Sequence, residues 1–141
     1  MPAAHESIRY TTSFDAVTSV MLVGFFEGWK NPVSPEEHLK ILRGSDHCVL
    51  AMNTLSGRVV GFITAITDGR LSAFIPLLEV LPHARNRGIG TQLVQRMLEL
   101  LAHYPCVDLV CDAELEPFYK RHGLTRSTAM ILRRPSAPGT L

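Results

Sequence analysis

Two glycines and two arginines stand close together in one short stretch, between a β-rich segment and a segment with helical spacing. The stretch reads Val80-Leu81-Pro82-His83-Ala84-Arg85-Asn86-Arg87-Gly88-Ile89-Gly90-Thr91. Glycines at a helix start let the backbone approach a ligand closely, and the first N–H groups of a helix have no internal acceptor. Phosphates and other anions bind at such helix ends, and arginine side chains add positive charge. The residue types therefore predict an anion-binding site without deciding which anion.

Two common phosphate-binding loops do not fit this stretch. The P-loop ends in Gly-Lys followed by Ser or Thr, whereas Gly90 is followed by Thr91 and Gln92. The dinucleotide-binding fingerprint has three glycines, and this loop has two. Two glycines before a helix are also compatible with a purely structural turn, so the loop alone leaves both interpretations open.

The sequence around this loop predicts the elements that position it. Runs rich in Val, Ile and Phe predict strands over residues 8–11, 47–52, 58–67, 71–81, 107–111 and 128–132. Helical spacing predicts helices over residues 88–102 and 115–122, and one that starts at Ser13 or Asp15 and carries Phe14, Val17, Met21, Phe25 and Trp29. With one more helix near residue 35, the order is β-α-α-β-β-β-α-β-α-β. It predicts an α/β (α+β) fold with a mixed, mostly antiparallel sheet and helices on both faces.

Several local signals add detail to these elements. Residues 34–37 (Ser-Pro-Glu-Glu) form a capping box, which predicts a helix that ends at Gly44 with that glycine left-handed. Residues 68–69 (Asp-Gly) predict a tight type I′ turn. Pro76 predicts either a bend or a point where its strand loses a neighbour. The strand over residues 107–111 is nearly all apolar, which predicts a central, buried position.

The composition limits the class of protein. The chain has 141 residues, 46% of them hydrophobic, and a formal net charge of +1, which predicts one globular domain and no field for nucleic-acid binding. We find no bilayer-spanning stretch and no secretory signal at the start. Three cysteines without a Cys-x-x-Cys pair predict a reducing compartment, the cytoplasm. His103, Cys106 and Cys111 could be read as a metal cluster, but buried thiols are the more frequent explanation, so no metal is expected.

Two motifs, in the right order, resemble those of the GNAT superfamily of N-acetyltransferases. Val80-x-Pro82 followed by Arg85-x-x-Gly88-x-Gly90 resembles its pyrophosphate-binding motif. Residues 117–124 (Pro-Phe-Tyr-Lys-Arg-His-Gly-Leu) resemble its closing helix, although Asp112 stands where the family usually has asparagine. The resemblance implies a single domain over residues 1–141, with a core at about 8–133. It also implies a sheet that splays between its fourth and fifth strands. The turn-forming residues 135–141 (Pro-Ser-Ala-Pro-Gly-Thr-Leu) predict a flexible tail.

The same resemblance implies acetyl-CoA as the co-substrate and direct acetyl transfer to a primary amine of an acceptor that the sequence does not identify. It implies that the cofactor-binding residues are Leu78, Val80, Arg85, Asn86, Arg87, Gly88, Ile89, Gly90, Thr91 and Asp112. Tyr119 aligns with the tyrosine that serves the family as an acid, and a core aromatic residue is the alternative interpretation. A non-catalytic CoA-binding module and a purely structural α/β protein are the alternative functions.

The base that would take the proton from the amine is less clearly defined. Glu79 is the only carboxylate in the strand over residues 71–81, and alternation places it on the face opposite Leu78 and Val80. Several family members carry a glutamate about five residues earlier, where this chain has Phe74. Glu79 is therefore a candidate base and equally a candidate structural hydrogen-bond acceptor.

The acceptor pocket is expected at the junction of the first two helices, together with the C-terminal strand region. Phe25, Phe26 and Trp29 could line it, although a helical stripe of core residues is the more frequent explanation. Residues 125–127 form a connection that is short by the standards of the family. This predicts an open acceptor site or one completed by a second subunit, so a homodimer is one option. Neither nucleic acid nor a membrane is an expected partner.

Overall fold

A computed structural model describes residues 7–139 of the chain. Its strands are β1 (Ile8–Thr11), β2 (His47–Asn53), β3 (Val59–Thr67), β4 (Ser72–Ile75), β5 (Leu78–Val80) and β6 (Cys106–Leu109). Its helices are α1 (Pro35–Gly44), α2 (Ile89–Leu100) and α3 (Glu116–Lys120), with short 3-10 turns at Ser19–Leu22, Pro82–Ala84 and Ala113–Leu115.

The strands form one mixed sheet in the order β1-β2-β3-β4-β6, and β5 also pairs with β3. All pairs are antiparallel except β4 with β6, which are joined through α2 and run parallel. A Cβ atom at Gly61 would lie 3.1 Å from Ile89 and Leu93, so α2 packs closely on that face of β3. The next residue, Phe62, points to the other face and contacts His38 of α1. The predicted fold class, with helices on both faces, is confirmed.

The predicted strand over residues 71–81 is divided in two by a bulge. Ile63 pairs with Leu78 and Ile66 pairs with Phe74, so two residues of β3 face three residues of the other strand. Pro76 lies in this bulge, where its missing N–H costs no ladder bond. Before the bulge, β4 pairs with β6 as well as with β3. After the bulge, β5 pairs with β3 alone. The bend and the loss of a neighbour therefore coincide, and the predicted splay is confirmed.

The long helix expected after Ser13 or Asp15 does not form. Only Ser19–Leu22 is helical, as a 3-10 turn, and the chain then passes through positive φ angles at Gly24 (108°), Phe26 (64°) and Gly28 (80°). A right-handed helix cannot contain residues with such angles. The apolar residues that have helical spacing therefore lie in consecutive turns of the chain. Phe25 and Phe26 are nevertheless both buried.

The predicted cap before α1 is confirmed, and the predictions for Gly44 and for residues 68–69 are wrong. The Ser34 hydroxyl accepts from the Glu37 amide at 3.1 Å, as the capping box predicts. Gly44 is not left-handed, since the Ser45 hydroxyl closes the helix by donating to the Ile41 carbonyl at 2.7 Å. The Asp68 carboxylate accepts three amides, of Arg70, Leu71 and Ser72, and forms a wider loop than the type I′ turn, which would need positive φ at Asp68.

The C-terminal part departs most from expectation. β6 is an edge strand with Cys106 and Asp108 exposed, so its predicted central burial is wrong. The expected strand over residues 128–132 does not form, and within the described sheet β6 has no outer neighbour. The last helix covers Glu116–Lys120, a shorter range than predicted, and Gly123 after it is left-handed, with φ 91°. Residues 135–139 run beside Lys30, and the end of the predicted tail, residues 140–141, lies outside the described residues.

Candidate active site

The glycine-rich loop joins β5 to α2 through two residues in the left-handed conformation. Asn86 has φ 62° and Gly88 has φ 79°, and Gly88 is the N-cap of α2. A Cβ at Gly88 would meet no atom within 4 Å, so the backbone angle is what requires glycine there. At Gly90 the φ angle is ordinary, and a Cβ would lie 3.7 Å from Phe118 and 3.9 Å from Val80. Gly90 thus keeps a space open between the helix end and these side chains.

This space belongs to a cavity of about 700 Å³. The cavity brings together almost all of the cofactor-binding residues expected from the sequence: Leu78, Val80, Arg85, Asn86, Gly88, Ile89, Gly90, Thr91 and Asp112. Arg87 is not among the lining residues. Glu79 and Tyr119 line the same cavity, so both residues predicted to be catalytic adjoin it. The sequence reasoning missed Ala84, Glu114, Leu115 and Phe118, which also line it.

The electrostatics of the cavity favour an anion at the start of α2. The first-turn amides of this twelve-residue helix have no intrahelical acceptor, and no acidic residue lies in its first turn. The Arg85 side chain folds back on the loop, and its Nε donates to the Val80 carbonyl at 3.0 Å. Positive charge is thereby held beside the helix end.

The register of β5 determines which of its backbone groups face the splay. The Leu77 carbonyl accepts from Thr64, and the Leu81 amide donates to Val60, both on β3. Because backbone groups alternate in direction along a strand, those of Leu78 and Val80 point away from β3. They face the opening that the departure of β6 leaves, and the Val80 carbonyl is the one that Arg85 contacts.

Tyr119 lies on α3 with 8% of its surface exposed. Burial raises its pKa to about 12, with a smaller contribution from the Cys111 thiol, so the phenol is protonated at neutral pH. Its ring packs on Phe118 at a centroid distance of 4.9 Å. Within residues 7–139 no hydrogen bond engages the Tyr119 hydroxyl, although the group adjoins a cavity. Tyr119 is thus part of the buried core, as the alternative interpretation holds, and its hydroxyl has no partner within the described chain.

Glu79 stands opposite Phe62 in the pairing of β5 with β3, so its side chain points to the α1 face. This is the face that alternation predicts. Both carboxylate oxygens accept from the Phe26 amide, at 3.2 and 3.1 Å. Burial raises the pKa of Glu79, and the Phe26 amide and Arg85 partly offset the rise. Glu79 therefore holds the left-handed turn at Phe26 while it also reaches the cavity.

Asp112 precedes the 3-10 turn Ala113–Leu115, and its carbonyl accepts from the Leu115 amide at 3.0 Å. Its carboxylate makes no capping hydrogen bond. The carboxylate therefore does not cap the turn, and Asp112 lines the cavity.

A second, larger cavity of about 1110 Å³ lies between β6, α3 and residues 123–133. Tyr119 lines this cavity as well as the first, and Phe74, which is 37% exposed, lies on its wall. The acceptor pocket expected at Phe25 and Phe26 is not found in either cavity. Both rings are buried, and they pack on His38 at centroid distances of 5.4 and 5.1 Å.

His38 is a feature that the sequence reasoning overlooked. Its side chain is 0% exposed, and within the described residues neither ring nitrogen has a hydrogen-bond partner, as is also the case for the Thr64 hydroxyl. Burial lowers its pKa to about 4, so the imidazole is neutral at pH 7. Its position four residues before Leu42, on the buried face of α1, is the signal that could have revealed it.

The family is decided by a profile match over most of the chain. The Acetyltransferase (GNAT) family model matches residues 14–124. The chain belongs to the GNAT acetyltransferase family. The anion loop and the closing helix described above both lie within the matched range.

Three relatives illustrate the similarity. A crystal structure from Deinococcus radiodurans R1, assigned as an acetyltransferase, is 46% identical, with TM-score 0.87 over 90% of this chain and 88% of that one. The chloroplastic GCN5-related N-acetyltransferase 3 of Arabidopsis thaliana is 37% identical over 70 residues, which are 48% of this chain and 30% of the relative. An aminoglycoside N-acetyltransferase solved with CoA has TM-score 0.65 and 17% identity, covering 97% of this chain and 100% of that one, and shows the shared fold.

Two further classes of feature were sought among residues 7–139. No helix there is long and apolar enough to cross a bilayer. No three His, Cys, Asp or Glu side chains in that range are grouped so that they could hold a metal ion. All three cysteines are free thiols.

Proposed function

We propose that this protein is an acetyl-CoA-dependent N-acetyltransferase that transfers the acetyl group directly to a primary amine. The observation that carries the proposal is a single cavity in which three features meet: the start of α2, the free edge of β5 and the Tyr119 phenol. This combination fits a ligand with an anionic group, an extended polar arm and a reactive end. Acetyl-CoA has these three parts.

The pyrophosphate is assigned to the first turn of α2, where amides and the Arg85 guanidinium converge. Asn86, Arg87, Gly88, Ile89, Gly90 and Thr91 complete the loop that would surround it. The pantetheine arm would follow the outward edge of β5, with hydrogen bonds to the backbones of Leu78 and Val80. Asp112 lines the same cavity.

The proposed reaction has a simple balance of bonds and protons. The amine nitrogen forms a bond to the thioester carbon, the carbon–sulfur bond breaks, and a proton leaves the nitrogen. Tyr119, protonated because its pKa is about 12, hydrogen-bonds and then protonates the departing sulfur, and solvent restores its proton. A phenol of this pKa gives up its proton less readily than a thiol of pKa about 8.5, so the hydrogen bond to sulfur is the larger part of its contribution.

Glu79 is the proposed acceptor of the amine's proton, directly or through water. An ammonium of pKa about 10.4 must lose a proton before it attacks, and a carboxylate whose pKa is raised by burial accepts a proton more readily than an exposed one. Each carboxylate oxygen has two lone pairs, so the bond to Phe26 leaves acceptor capacity free.

A non-catalytic CoA-binding module is the second candidate, and one contact favours it. The Glu79 carboxylate is already engaged by the Phe26 amide through both oxygens, which is what a structural acceptor would show. Under this alternative CoA would bind and no acetyl group would move.

The two candidates are separated by an assay of CoA release with a panel of primary amines, from polyamines and amino sugars to peptide N-termini. Mass spectrometry of the acceptor should show a gain of one acetyl group for at least one class. Binding of acetyl-CoA by calorimetry without release of CoA for any amine would favour the binding module. Failure of acetyl-CoA to bind would remove both.

The three free thiols support our proposal that the protein works in a reducing, cytoplasmic environment.

A further inference from the structure

The cavity assigned to acetyl-CoA carries charges that oppose those of its ligand. Its lining includes three carboxylates, Glu79, Asp112 and Glu114, and among the described residues that line it Arg85 is the one permanent cation. Acetyl-CoA brings a pyrophosphate and a 3′-phosphate, all of them negative. An anion beside a carboxylate favours the protonated form of that carboxylate. Binding of the cofactor and protonation of a lining carboxylate are therefore thermodynamically linked.

Glu79 is the lining carboxylate that responds most to a nearby charge. Its side chain is half-buried, and burial raises its pKa because desolvation disfavours the charged form. Asp112 and Glu114 are exposed, so water and salt screen them more strongly. A change of charge inside the cavity therefore alters the protonation of Glu79 more than that of the two exposed carboxylates.

The polar and charged groups around Glu79 come from the N-terminal turns, α1 and the loop before α2. The Phe26 amide donates to both carboxylate oxygens, at 3.2 and 3.1 Å. The charge of Arg85 lowers the pKa of Glu79, and the charge of Glu27 raises it. His38 of α1 packs on the Phe26 ring, and its pKa of about 4 leaves it neutral from pH 5 to 8. Of these four neighbours, Arg85 alone also lines the cavity.

Arg85 lies between the proposed base and the proposed anion site. Its Nε donates to the carbonyl of Val80, the residue that follows Glu79 in β5. It also lies three positions before Gly88, the N-cap of α2, where the pyrophosphate is assigned. The guanidinium has five N–H donors in a fixed fork, so it can contact a phosphate without releasing Val80. One positive charge is thus shared between the carboxylate and the phosphate site.

We propose that Arg85 couples the binding of acetyl-CoA to the strength of the proposed base, so that Glu79 holds a proton more strongly once the pyrophosphate engages the guanidinium. This inference rests on the proposed function, since it uses the assignment of the pyrophosphate and the role of Glu79. In the free protein the Arg85 charge favours the carboxylate form of Glu79. A phosphate beside Arg85 cancels much of that influence, so the pKa of Glu79 rises when the cofactor binds.

The consequence for the reaction is a base that becomes stronger when the thioester arrives. In the free protein Glu79 is the weaker base, and an amine beside it keeps its proton. With the cofactor bound, the same carboxylate accepts that proton more readily, at the time when a thioester is present to be attacked. Towards the transfer step Arg85 is a positioning residue, because it acts through Glu79. The linkage is reciprocal, so the cofactor should bind more tightly as the pH falls and Glu79 becomes protonated.

The test is the number of protons that the protein takes up on binding, measured by calorimetry in two buffers of different ionisation enthalpy. The ligand is dephospho-CoA, because it lacks the 3′-phosphate, a group that itself titrates near pH 6. We expect net proton uptake between pH 5 and 8, and binding about fivefold tighter at pH 5 than at pH 8. Glu99→Gln is the control, since Glu99 is exposed on α2 and lies outside the cavity, and it should match the wild type.

Two positions assign the linkage to its residues. Glu79→Gln should abolish the proton uptake while dephospho-CoA still binds, because glutamine gains no proton and still offers an oxygen to the Phe26 amide. Arg85→Met should weaken binding and reduce the uptake at saturating ligand. Arg85→Lys keeps the positive charge and should restore most of the uptake. Circular dichroism verifies that each variant is folded.

The outcomes separate this proposal from the proposed function. If the wild type binds neither acetyl-CoA nor dephospho-CoA, both are wrong. If it binds them without net proton uptake, the coupling is wrong and the proposed function stands. Uptake that is unchanged in Glu79→Gln or in Arg85→Met also overturns the coupling. Uptake that is lost in Glu114→Gln and kept in Glu79→Gln would assign the proton to another lining carboxylate and contradict the proposal as well.

Discussion

β5 and β6 separate from each other at the splay, and the groups that surround their two free edges differ. At β5 the backbones of Leu78 and Val80 face a cavity that also holds the start of α2 and the Arg85 side chain. At β6 the free edge faces residues 125–133, which make no backbone–backbone hydrogen bond within the described chain and expose the apolar side chains of Met130, Ile131 and Leu132. An edge surrounded by fixed polar groups fits a small ligand, whereas an edge facing apolar, unpaired backbone fits another strand.

The comparison shows that the ligand favoured by a free strand edge depends on the groups around that edge. Both edges offer the same N–H and C=O groups, so the backbone alone does not determine what binds. The β5 edge has charge and directed amides beside it, and these favour an anion-bearing ligand over a peptide. The β6 edge has no such groups beside it and lies next to Met130, Ile131 and Leu132, whose side chains are exposed.

The largest expected effect tests the β5 side. Gly90→Val should weaken acetyl-CoA binding by about 1,000-fold, because branched methyl groups would enter the space at the helix end and displace at least two charge-assisted hydrogen bonds of about 2 kcal/mol each. The ordinary φ at Gly90 means that valine is tolerated by the backbone. Calorimetry measures the affinity. Gln95→Val, exposed on the same helix, is the control and should bind normally. Normal affinity in a folded Gly90→Val protein would remove the helix end from the cofactor site.

The same comparison explains how much could be predicted from the sequence. The β5–α2 loop was predictable because helix starts, glycine angles and arginine charge act over a few neighbouring residues. The splay at Pro76 was predictable as one of two options, and the register showed that both hold. Residues 13–30 were not, because Phe26 adopts a left-handed angle that depends on a carboxylate 53 positions away, at Glu79. The strand over residues 128–132 has β-forming residues but no partner within the described chain, so its propensity alone did not determine its structure.

His38 lies away from both free edges and tests the stability of the core. Its unpaired nitrogens are buried, and the residue lines neither cavity. Its pKa is about 4 in the folded chain and about 6.5 when unfolded, so between these values the unfolded state binds more protons. Stability is therefore full above pH 6.5 and falls as the pH drops towards 4, by about 3 kcal/mol from this residue.

The measurement for His38 is denaturant unfolding at pH 7 and at pH 4.5. His38→Phe, which suits the surrounding rings, should lose much less stability between these pH values than the wild type does. His103→Gln is the control, because His103 is exposed, and it should retain the wild-type pH dependence. An equal loss in wild type and His38→Phe would mean that another group governs the acid sensitivity.

Tyr119 lines both cavities, so its replacement tests the point where the two cavities adjoin. Tyr119→Phe should lower turnover by about 100-fold with acetyl-CoA affinity unchanged, because it removes a proton donor and keeps the ring. Steady-state kinetics and calorimetry give the two quantities. Tyr104→Phe is the matched control, since the Tyr104 hydroxyl contacts Thr67 at 3.1 Å and lies outside both cavities. If affinity falls in step with turnover, the hydroxyl is a binding contact and not an acid.

The smallest effect is expected for Glu79. This residue lies in β5, and its carboxylate accepts a hydrogen bond from Phe26 in the turns that follow β1. As a base, Glu79 matters most at low pH, where free amine is scarce, so Glu79→Gln should slow turnover by about tenfold there and less at high pH. As a structural acceptor alone, its replacement would lower the melting temperature and slow the reaction equally at every pH. Glutamine still offers an oxygen to the Phe26 amide, so the substitution weakens the turn less than Glu79→Ala does. Turnover from pH 6 to 10 and melting temperatures for all three proteins separate the roles. A pH-independent defect that tracks the melting temperature from glutamine to alanine would leave water or a backbone carbonyl as the acceptor of the proton.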